Sequence, residues 1–391
     1  MRIYEIGTGY TPIPAQMGAA TEIVVEQLTR ALLKDGYDVE IIDICANDRG
    51  KNDLPIKEVR VPKRFTASDV TLGIMHKLKR VAYSVSLAMY LKKVLTTSDE
   101  KIVLHFHNQY NLYFALKLIP RSLLKKATVA YTVHSYVWGD EWENIKSKVK
   151  RKYFQEVSCV KSADIVFVLN DITTEHFVSK LGVDRNKIHK VANGVSADCY
   201  APLGDADIAK LKLEHGLEGK KIILQVGSVC ERKNQLGTVD MLSKYLKCHE
   251  DAVYMYVGGL LDEEYKRAID ALALERGILD RVVYVGECAP GEQLNAYYNI
   301  ADCCVFTSEL ESFGLVIIES IAAGTPVVLG HNLMFDLDSG FYMYHSRQEF
   351  AVMVEKTVTR GKLSSSEVNN TLDKYSWNAV AREYVTLFEN N

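Results

Sequence analysis

The sequence predicts an α/β protein of two domains, and three observations lead to this prediction. Short runs of β-branched residues alternate with longer segments of helical period, as in βαβ units around parallel sheets. This pattern restarts after Pro202 and a polar stretch. The chain has 391 residues, which is more than one hydrophobic core usually supports. We therefore expect a first domain over residues 1–203, a second over 204–370 and a terminal helix over 371–391.

The strands are predicted from short apolar runs bounded by polar or glycine-containing loops. In the first half they cover residues 3–6, 39–42, 102–105, 128–132, 165–168 and 188–191. In the second half they cover residues 222–226, 253–257, 282–285, 303–306, 326–328 and 341–344. The first helix is predicted to begin at Gly18 and to stop at Gly36. Its apolar face would carry Ala20, Val24, Leu28, Ala31 and Leu32.

Composition excludes several classes of protein. The chain is 48% hydrophobic and 25% charged with a net charge of −3, so it has no global attraction for nucleic acid. The first residues do not read as a signal peptide, and no uncharged apolar run is long enough to span a membrane. The eight cysteines form no CxxC pair and no zinc spacing. We therefore expect reduced thiols and a cytoplasmic protein.

The most informative segment runs from residue 308 to 319, directly after a predicted strand. Gly314 allows the backbone to approach a ligand closely, and a helix is predicted to start after it. The unsatisfied N–H groups at the start of a helix suit a diphosphate. Glu311 and Glu319 would flank those phosphates and would accept hydrogen bonds from sugar and ribose hydroxyls.

The spacing Glu311-x7-Glu319, with Phe313-Gly314-Leu315 between and residues 323–328 after it, resembles the signature of family 4 retaining glycosyltransferases. The resemblance extends over almost the whole chain and implies the GT-B fold, in which two Rossmann-like domains face each other across a cleft. The second domain would bind a nucleotide-sugar donor, the first would bind the acceptor, and the terminal helix would return to the first domain. The resemblance further implies front-face displacement with retention of configuration.

Further motifs extend the resemblance. Residues 227–233 match the family's phosphate loop through Lys233, but Ser228 replaces its usual arginine and Arg232 is the nearest substitute. Residues 12–19 resemble its glycine loop, with Ala19 where a second glycine is common. The implied catalytic residues are His134, which follows a strand as the family's cleft histidine does, Glu311 and Lys233. The implied donor-binding residues are Gly18, Arg232, Lys233, Ser312, Phe313, Gly314, Leu315 and Glu319.

Two other patterns imitate metal sites. His105 and His107 alternate on a predicted strand, so both rings would face one side, but no third ligand stands at a telling spacing. Asp336 and Asp338 imitate the Asp-x-Asp of the other large transferase fold without its context. Because Lys233 and the helix amides can neutralise the negative charge of the phosphates, we expect no metal and no cofactor.

A basic stretch lies between residues 57 and 93, where nine lysines and arginines stand against Glu58 and Asp69. Interleaved apolar residues would let it lie on an anionic membrane surface. A second basic patch covers residues 146–152. The alternative, solvated faces of helices that bury residues 83–95 in the core, stays open.

The predicted function is transfer of a sugar from a UDP- or GDP-sugar to a hydroxyl acceptor in glycan, polysaccharide or glycolipid synthesis. The acceptor would be a glycan, a lipid-linked molecule or a small molecule. One alternative is a sugar-nucleotide epimerase or phosphorylase on the same scaffold, since a fold does not decide chemistry. Another is a non-catalytic sugar-nucleotide-binding partner of an active transferase, a reading that Ser228 and Ala19 support.

Overall fold

A computed structural model describes residues 1–14, 20–46, 49, 52–62, 74–134, 147–308, 311–331 and 337–390, with side chains except at 74–76 and 147–153. These residues form two compact units. The first contains Met1–Gly194 together with Trp377–Asn391, and the second contains Val195–Ser376. Of the predicted site residues, Gly18 lies outside the described residues, as do Ala19 and Asp336.

The first unit is built on a seven-stranded sheet of order β3-β2-β1-β4-β5-β6-β7, in which every neighbouring pair is parallel. Its strands are β1 Arg2–Ile6, β2 Asp38–Ile44, β3 Ile56–Val59, β4 Ile102–Phe106, β5 Ala127–Val133, β6 Ile165–Val168 and β7 Ile188–Lys190. Its helices are α1 Ala20–Lys34, α2 Ile74–Thr97, α3 Gln109–Leu118, α4 Arg121–Leu124, α5 Ser147–Ser162, α6 Asp171–Ser179 and, from the end of the chain, α14 Trp377–Glu389.

The second unit repeats this plan with a six-stranded parallel sheet of order β10-β9-β8-β11-β12-β13. Its strands are β8 Lys221–Val226, β9 Ala252–Val257, β10 Val282–Gly286, β11 Cys303–Phe306, β12 Val327–Gly330 and β13 Phe341–Tyr344. Its helices are α7 Asp205–Glu214, α8 Gln235–Cys248, α9 Glu263–Glu275, α10 Glu292–Ile300, α11 Leu315–Ala322, α12 Arg347–Arg360 and α13 Ser365–Tyr375.

Each predicted strand has a counterpart in these sheets, and the added strand β3 was not predicted. β3 is only four residues long, and its central Lys57 and Glu58 are exposed, so its sequence lacks the apolar run of a central strand. In α1 the predicted apolar face is correct at Val24, Leu28, Ala31 and Leu32, but Ala20 is exposed.

The terminal helix α14 completes the core of the first unit. Trp377, Val380, Tyr384 and Phe388 are buried together with Leu28 and the other apolar residues of α1. The units divide between Gly194 and Val195, earlier than the predicted boundary, because Val195 donates its N–H to the Tyr375 carbonyl within the second unit. The returning segment begins at Trp377 rather than at residue 371, because α13 packs on α11.

Two cations of the basic stretch, Lys79 and Arg80, contact the first unit's own residues. The Lys79 ammonium is buried and donates to the Tyr10 carbonyl at 3.0 Å. The Arg80 guanidinium lies 4.2 Å from the centre of the Tyr10 ring and 4.9 Å from that of Tyr110. The membrane hypothesis is thus wrong about these two cations, which hold the loop after β1. The alternative is correct for Tyr83, Leu87, Leu91 and Leu95, which are buried.

Candidate functional site

Each sheet has one point at which the strand order reverses, between β1 and β4 in the first unit and between β8 and β11 in the second. In open parallel sheets, ligands bind outside the carboxyl ends of the strands at such a switch point. The predicted site residues of the second unit follow β8 and β11, and His134 follows β5, the neighbour of β4. The topology therefore brings the described site residues of the second unit to its switch point and places His134 one strand away from that of the first unit.

The loop after β8 is held in a fixed shape by its neighbours. Gln235 donates from its side-chain amide to the Ser228 carbonyl at 3.0 Å. Gly258, after the adjacent strand β9, has a φ of +153°, and a Cβ placed there would stand 2.2 Å from the Gly227 carbonyl oxygen. The two loops pack backbone against backbone, which requires glycine at residue 258. The phosphate loop predicted from residues 227–233 is therefore a preformed turn.

A buried polar network positions Lys233 at the end of this turn. The Gln225 side chain donates to the Lys233 carbonyl at 2.7 Å and to the Thr307 hydroxyl at 3.2 Å. Thr238 donates to Gln225 at 2.8 Å, and Asn234 adopts a left-handed conformation while donating to the Thr307 carbonyl. Gln225 on β8 and Thr307 directly after β11 thereby hold the backbone at Lys233.

Lys233 and Arg232 converge on Glu311. The Lys233 Nζ atom lies 2.7 Å from Glu311 Oε1, and the Arg232 Nη1 atom lies 2.5 Å from the same oxygen. The Glu311 and Lys233 side chains are only 12% and 13% exposed, whereas Arg232 is 52% exposed. The two cations that the sequence assigned to the diphosphate thus share one carboxylate, so an anionic ligand would compete with Glu311 for both.

Glu319 lies on α11 and is hydrogen-bonded inside the second unit. The Tyr298 hydroxyl donates to Glu319 Oε2 at 2.8 Å, and the Tyr200 hydroxyl is a second partner. Burial raises the pKa of the Glu319 carboxyl to about 7, although the bonds from Tyr298 and Tyr200 oppose that shift. Neither tyrosine was predicted, because nothing in the local sequence links them to Glu319.

The helix α11 starts directly after Gly314, as the sequence predicted. Gly314 is the N-cap of this helix with φ 86° and ψ 61°, a left-handed geometry that glycine adopts without strain. Leu315 is the first helical residue, and Ser312 and Phe313 precede the cap. The Phe313 ring centre lies 6.2 Å from that of Tyr375, so Phe313 packs within the second unit.

In the first unit, His134 is joined to buried residues at the switch point. Its Nε2 atom lies 2.8 Å from His107 Nδ1, and His107 Nε2 lies 2.6 Å from a carboxylate oxygen of Glu5. His105, which the parallel register pairs with Glu5, also contacts that carboxylate. The sequence analysis found no third ligand beside His105 and His107, and the structure places Glu5 there. One ligand atom from each of Glu5, His105 and His107 lies within 4.8 Å of the others.

The chain is similar to known proteins over both units. The sequence model of the family described as glycosyl transferases group 1 matches residues 207–335. The sequence model of glycosyltransferase family 4 matches residues 21–198.

The chain belongs to the family 4, group 1 glycosyltransferases.

Two similar proteins and one solved structure illustrate the similarity of this chain to known glycosyltransferases. An uncharacterized glycosyltransferase of Methanocaldococcus jannaschii is 28% identical over 96% of the chain and 95% of its own length. Mannosylfructose-phosphate synthase of Agrobacterium fabrum is 25% identical over 61% of the chain, and the match spans 56% of the synthase. The structure of HepE from Anabaena in complex with UDP and glucose has a TM-score of 0.71 at 16% identity, with 100% of both chains covered. The predicted GT-B fold is confirmed.

Among the described residues of this glycosyltransferase, no helix is long and apolar enough to cross a membrane.

We expect Lys233→Ala to weaken diphosphate binding selectively. A charge-assisted hydrogen bond contributes roughly 1.5–3 kcal/mol, so UDP or GDP should bind roughly ten- to hundredfold more weakly while the free nucleoside changes little. Isothermal titration with UDP, uridine, GDP and guanosine measures this difference. Lys244→Ala, which removes an exposed cation on α8, is the matched control. Equal losses for nucleoside and diphosphate would contradict the assignment of Lys233 to phosphate.

Proposed function

We propose that this glycosyltransferase transfers a sugar from a UDP- or GDP-sugar to a hydroxyl acceptor with retention of configuration. The observation that carries the proposal is the convergence of Lys233 and Arg232 on Glu311 at the β8–β11 switch point. Two cations can take the developing charge of a leaving diphosphate. The carboxylate released from them can then accept hydrogen bonds from the transferred sugar.

Arg232 supplies the cation that Ser228 does not. Its guanidinium already stands within hydrogen-bond distance of the group that Lys233 holds, so both cations can reach one anion. HepE, whose fold this chain shares, binds UDP and glucose, which supports a nucleotide-sugar donor here.

The proposal includes catalysis without a metal ion. Lys233, Arg232 and the amides after Gly314 provide positive charge beside the phosphates, which is the task a divalent ion performs elsewhere. The acceptor belongs to glycan, polysaccharide or glycolipid synthesis. Contact with an anionic membrane is not part of the proposal, because Lys79 and Arg80 serve the first unit's own loop. Cytoplasmic localisation stays a prediction of the sequence.

The experiment is a stepwise assay on the full chain. A thermal-shift panel of UDP-, GDP- and ADP-sugars identifies the donor, because a ligand at 100 times its Kd stabilises the folded state by about 2.7 kcal/mol. Release of nucleotide diphosphate is then measured with a panel of hydroxyl acceptors in EDTA, and NMR of the product reports its anomeric configuration. We expect turnover in EDTA and a retained anomer.

Other outcomes of this assay separate the alternatives. Turnover with phosphate in place of a hydroxyl acceptor would indicate a phosphorylase, and conversion of the donor without acceptor would indicate an epimerase. Donor binding without turnover would favour the non-catalytic partner. Loss of activity in EDTA with recovery in manganese would contradict metal independence.

A further inference from the structure

Two tyrosines of the second unit contact Glu319, and the first, Tyr298, is fixed near the end of helix α10. Its side chain is fully buried, and its hydroxyl donates to Glu319 Oε2 at 2.8 Å. Its carbonyl accepts from the Thr325 hydroxyl at 2.6 Å and from the Lys362 ammonium at 3.3 Å. Thr325 follows α11, the helix that carries Glu319. The two helices are therefore joined beside the contact between Tyr298 and Glu319.

The second tyrosine belongs to a short segment, residues 200–203, that two asparagine side chains fix along α10. Asn295 accepts from the Ala201 N–H at 3.2 Å and donates to the Ala201 carbonyl at 3.1 Å. One turn further along α10, Asn299 accepts from the Leu203 N–H at 2.8 Å and donates to the Ala201 carbonyl at 3.0 Å. Both asparagines are buried, so water competes little for these bonds. The backbone of this segment is therefore held in one place.

The Tyr200 side chain is fixed as well as its backbone. It is 6% exposed, and its ring packs edge to face on the Tyr298 ring, with 5.9 Å between the ring centres. The Gly291 N–H donates to the Tyr200 hydroxyl oxygen at 3.2 Å. Because a phenol carries one proton and this oxygen already accepts an N–H, the proton remains available for an acceptor. Glu319 is that acceptor.

The two hydroxyl groups support the negative charge of Glu319 in place of a cation. Burial raises the pKa of Glu319 to about 7, and the bonds from Tyr298 and Tyr200 oppose that shift, with no cation among its causes. Burial also raises the pKa of both tyrosines, so at neutral pH they keep their protons and donate them. Loss of either hydroxyl should therefore favour the uncharged form of Glu319.

Part of the Glu319 carboxylate remains available to a ligand. An ionised carboxylate has about four acceptor sites, and the two tyrosines take two of them. Glu319 is not fully buried, so the remaining sites can be reached. A carboxylate without a cation repels a phosphate and attracts neutral O–H donors. Two adjacent hydroxyl groups can bind such a carboxylate together, and the ribose of a nucleotide carries such a pair.

We propose that Tyr298 and Tyr200 are positioning residues that hold the Glu319 carboxylate, so that its remaining acceptor sites bind the two adjacent hydroxyl groups of a nucleotide ribose. All three residues lie in the second unit. The ribose half of this proposal rests on the proposed function, whereas the positioning half does not. Residues that act in this way should change the preference for ribose over a deoxygenated analogue, and not the affinity for both.

The positioning half is tested without any ligand, by the titration of Glu319. The full chain is labelled with ¹³C at the glutamate carboxyl carbons, and Glu319 is assigned by the signal that disappears in Glu319→Gln. We expect a midpoint at pH about 7 in the wild type. A wild-type midpoint near 4.5, the ordinary value for glutamate, would overturn the proposal without any variant.

Tyr298→Phe and Tyr200→Phe each remove one hydroxyl and keep the packed ring. The carboxylate loses a donor in each, so the Glu319 midpoint should rise by about one pH unit. Tyr256→Phe is the matched control, because it removes from β9 a buried hydroxyl that has no hydrogen-bond partner within the described part of the chain. Its Glu319 midpoint should equal that of the wild type. An unchanged midpoint in the folded variants of Tyr298 and Tyr200 would show that these hydroxyls do not hold the carboxylate.

The ribose half is tested by titration calorimetry with UDP and 2′,3′-dideoxy-UDP, and with the same pair of guanosine nucleotides. We expect the wild type to bind the ribose form about tenfold more tightly. Tyr298→Phe and Tyr200→Phe should weaken the ribose form about tenfold and the dideoxy form less than about twofold, with Tyr256→Phe close to the wild type.

Other results of this comparison would contradict one half of the proposal or the other. Equal binding of the two forms by the wild type would contradict the ribose assignment. Equal weakening of the two forms in the variants would indicate general damage to the unit and contradict a positioning role. If the wild type binds neither UDP nor GDP, the donor in the proposed function is wrong, and the carboxyl titration still decides the positioning half.

Discussion

Glu311→Gln should bind nucleotide diphosphate more tightly than the wild type and yet turn over at least a hundredfold more slowly. In the structure, Glu311 forms ion pairs with both Lys233 and Arg232, so a diphosphate that binds these cations must displace it. Removing that competing charge should tighten UDP or GDP about fivefold, or about 1 kcal/mol. Turnover should fall if Glu311 orients the sugar as proposed, because small misplacements of a reacting group cost about 10²-fold.

The matched control for this prediction is Glu231→Gln. Glu231 is an exposed acid in the same turn as Lys233, so its replacement makes the same change of charge nearby without removing the shared carboxylate. Titration calorimetry and initial rates are measured for both variants. Tighter diphosphate binding in both would show a long-range effect of charge only, and normal turnover of Glu311→Gln would show that this carboxylate does not act on the sugar.

Glu319→Gln should make the protein more stable above neutral pH. The folded protein keeps a proton on Glu319 up to pH about 7, whereas an unfolded glutamate releases it near 4.5. Between these values the folded state binds more protons than the unfolded state, so stability falls as pH rises. At 1.36 kcal/mol per pKa unit, this loss reaches up to about 3 kcal/mol at pH 8.5. Glutamine does not ionise, and its oxygen still accepts from Tyr298.

The measurement is urea unfolding of the wild type and of Glu319→Gln at pH 5 and pH 8.5. We expect a gain of roughly 2–3 kcal/mol at pH 8.5 and little difference at pH 5. Glu231→Gln is again the control. Its free energy of unfolding should differ from that of the wild type by the same amount at both pH values. Glu319→Gln should also bind nucleotide more weakly than the wild type, by roughly 1–3 kcal/mol, if Glu319 holds the ribose. An equal gain at both pH values would contradict the assigned titration.

The fold was predictable because its signals are local. Each central strand is a short apolar run, and the restart of the pattern near residue 202 indicates a second domain. The segment from Glu311 to Glu319 is also local, since strand, turn and helix follow one another along the chain. The edge strand β3 carried no such run, and the unit boundary depends on the contact between Val195 and Tyr375, which are far apart in sequence.

The partners of the site residues were not predictable, because they come from distant parts of the chain. Glu5 meets His107 only because β1 and β4 are neighbours in the sheet. The carboxylate of Glu5 within the apolar strand β1 was the signal in the sequence for this buried cluster. Tyr298 and Tyr200 reach Glu319 in the same way, through the packing of the second unit. The helical period of α2 gave no indication that Lys79 and Arg80 point to the loop after β1.

The loop after β1 cannot be exchanged by itself when this enzyme is engineered. Its carbonyl at Tyr10 receives Lys79, its Tyr10 ring receives Arg80, and its N–H at Ile13 is bound by the buried Asp43 of β2. A loop grafted from a relative would have to present a carbonyl to the buried Lys79 and an N–H to Asp43, whose other partner is Arg49. The transferable cassette is therefore the loop together with β2 and the first turns of α2.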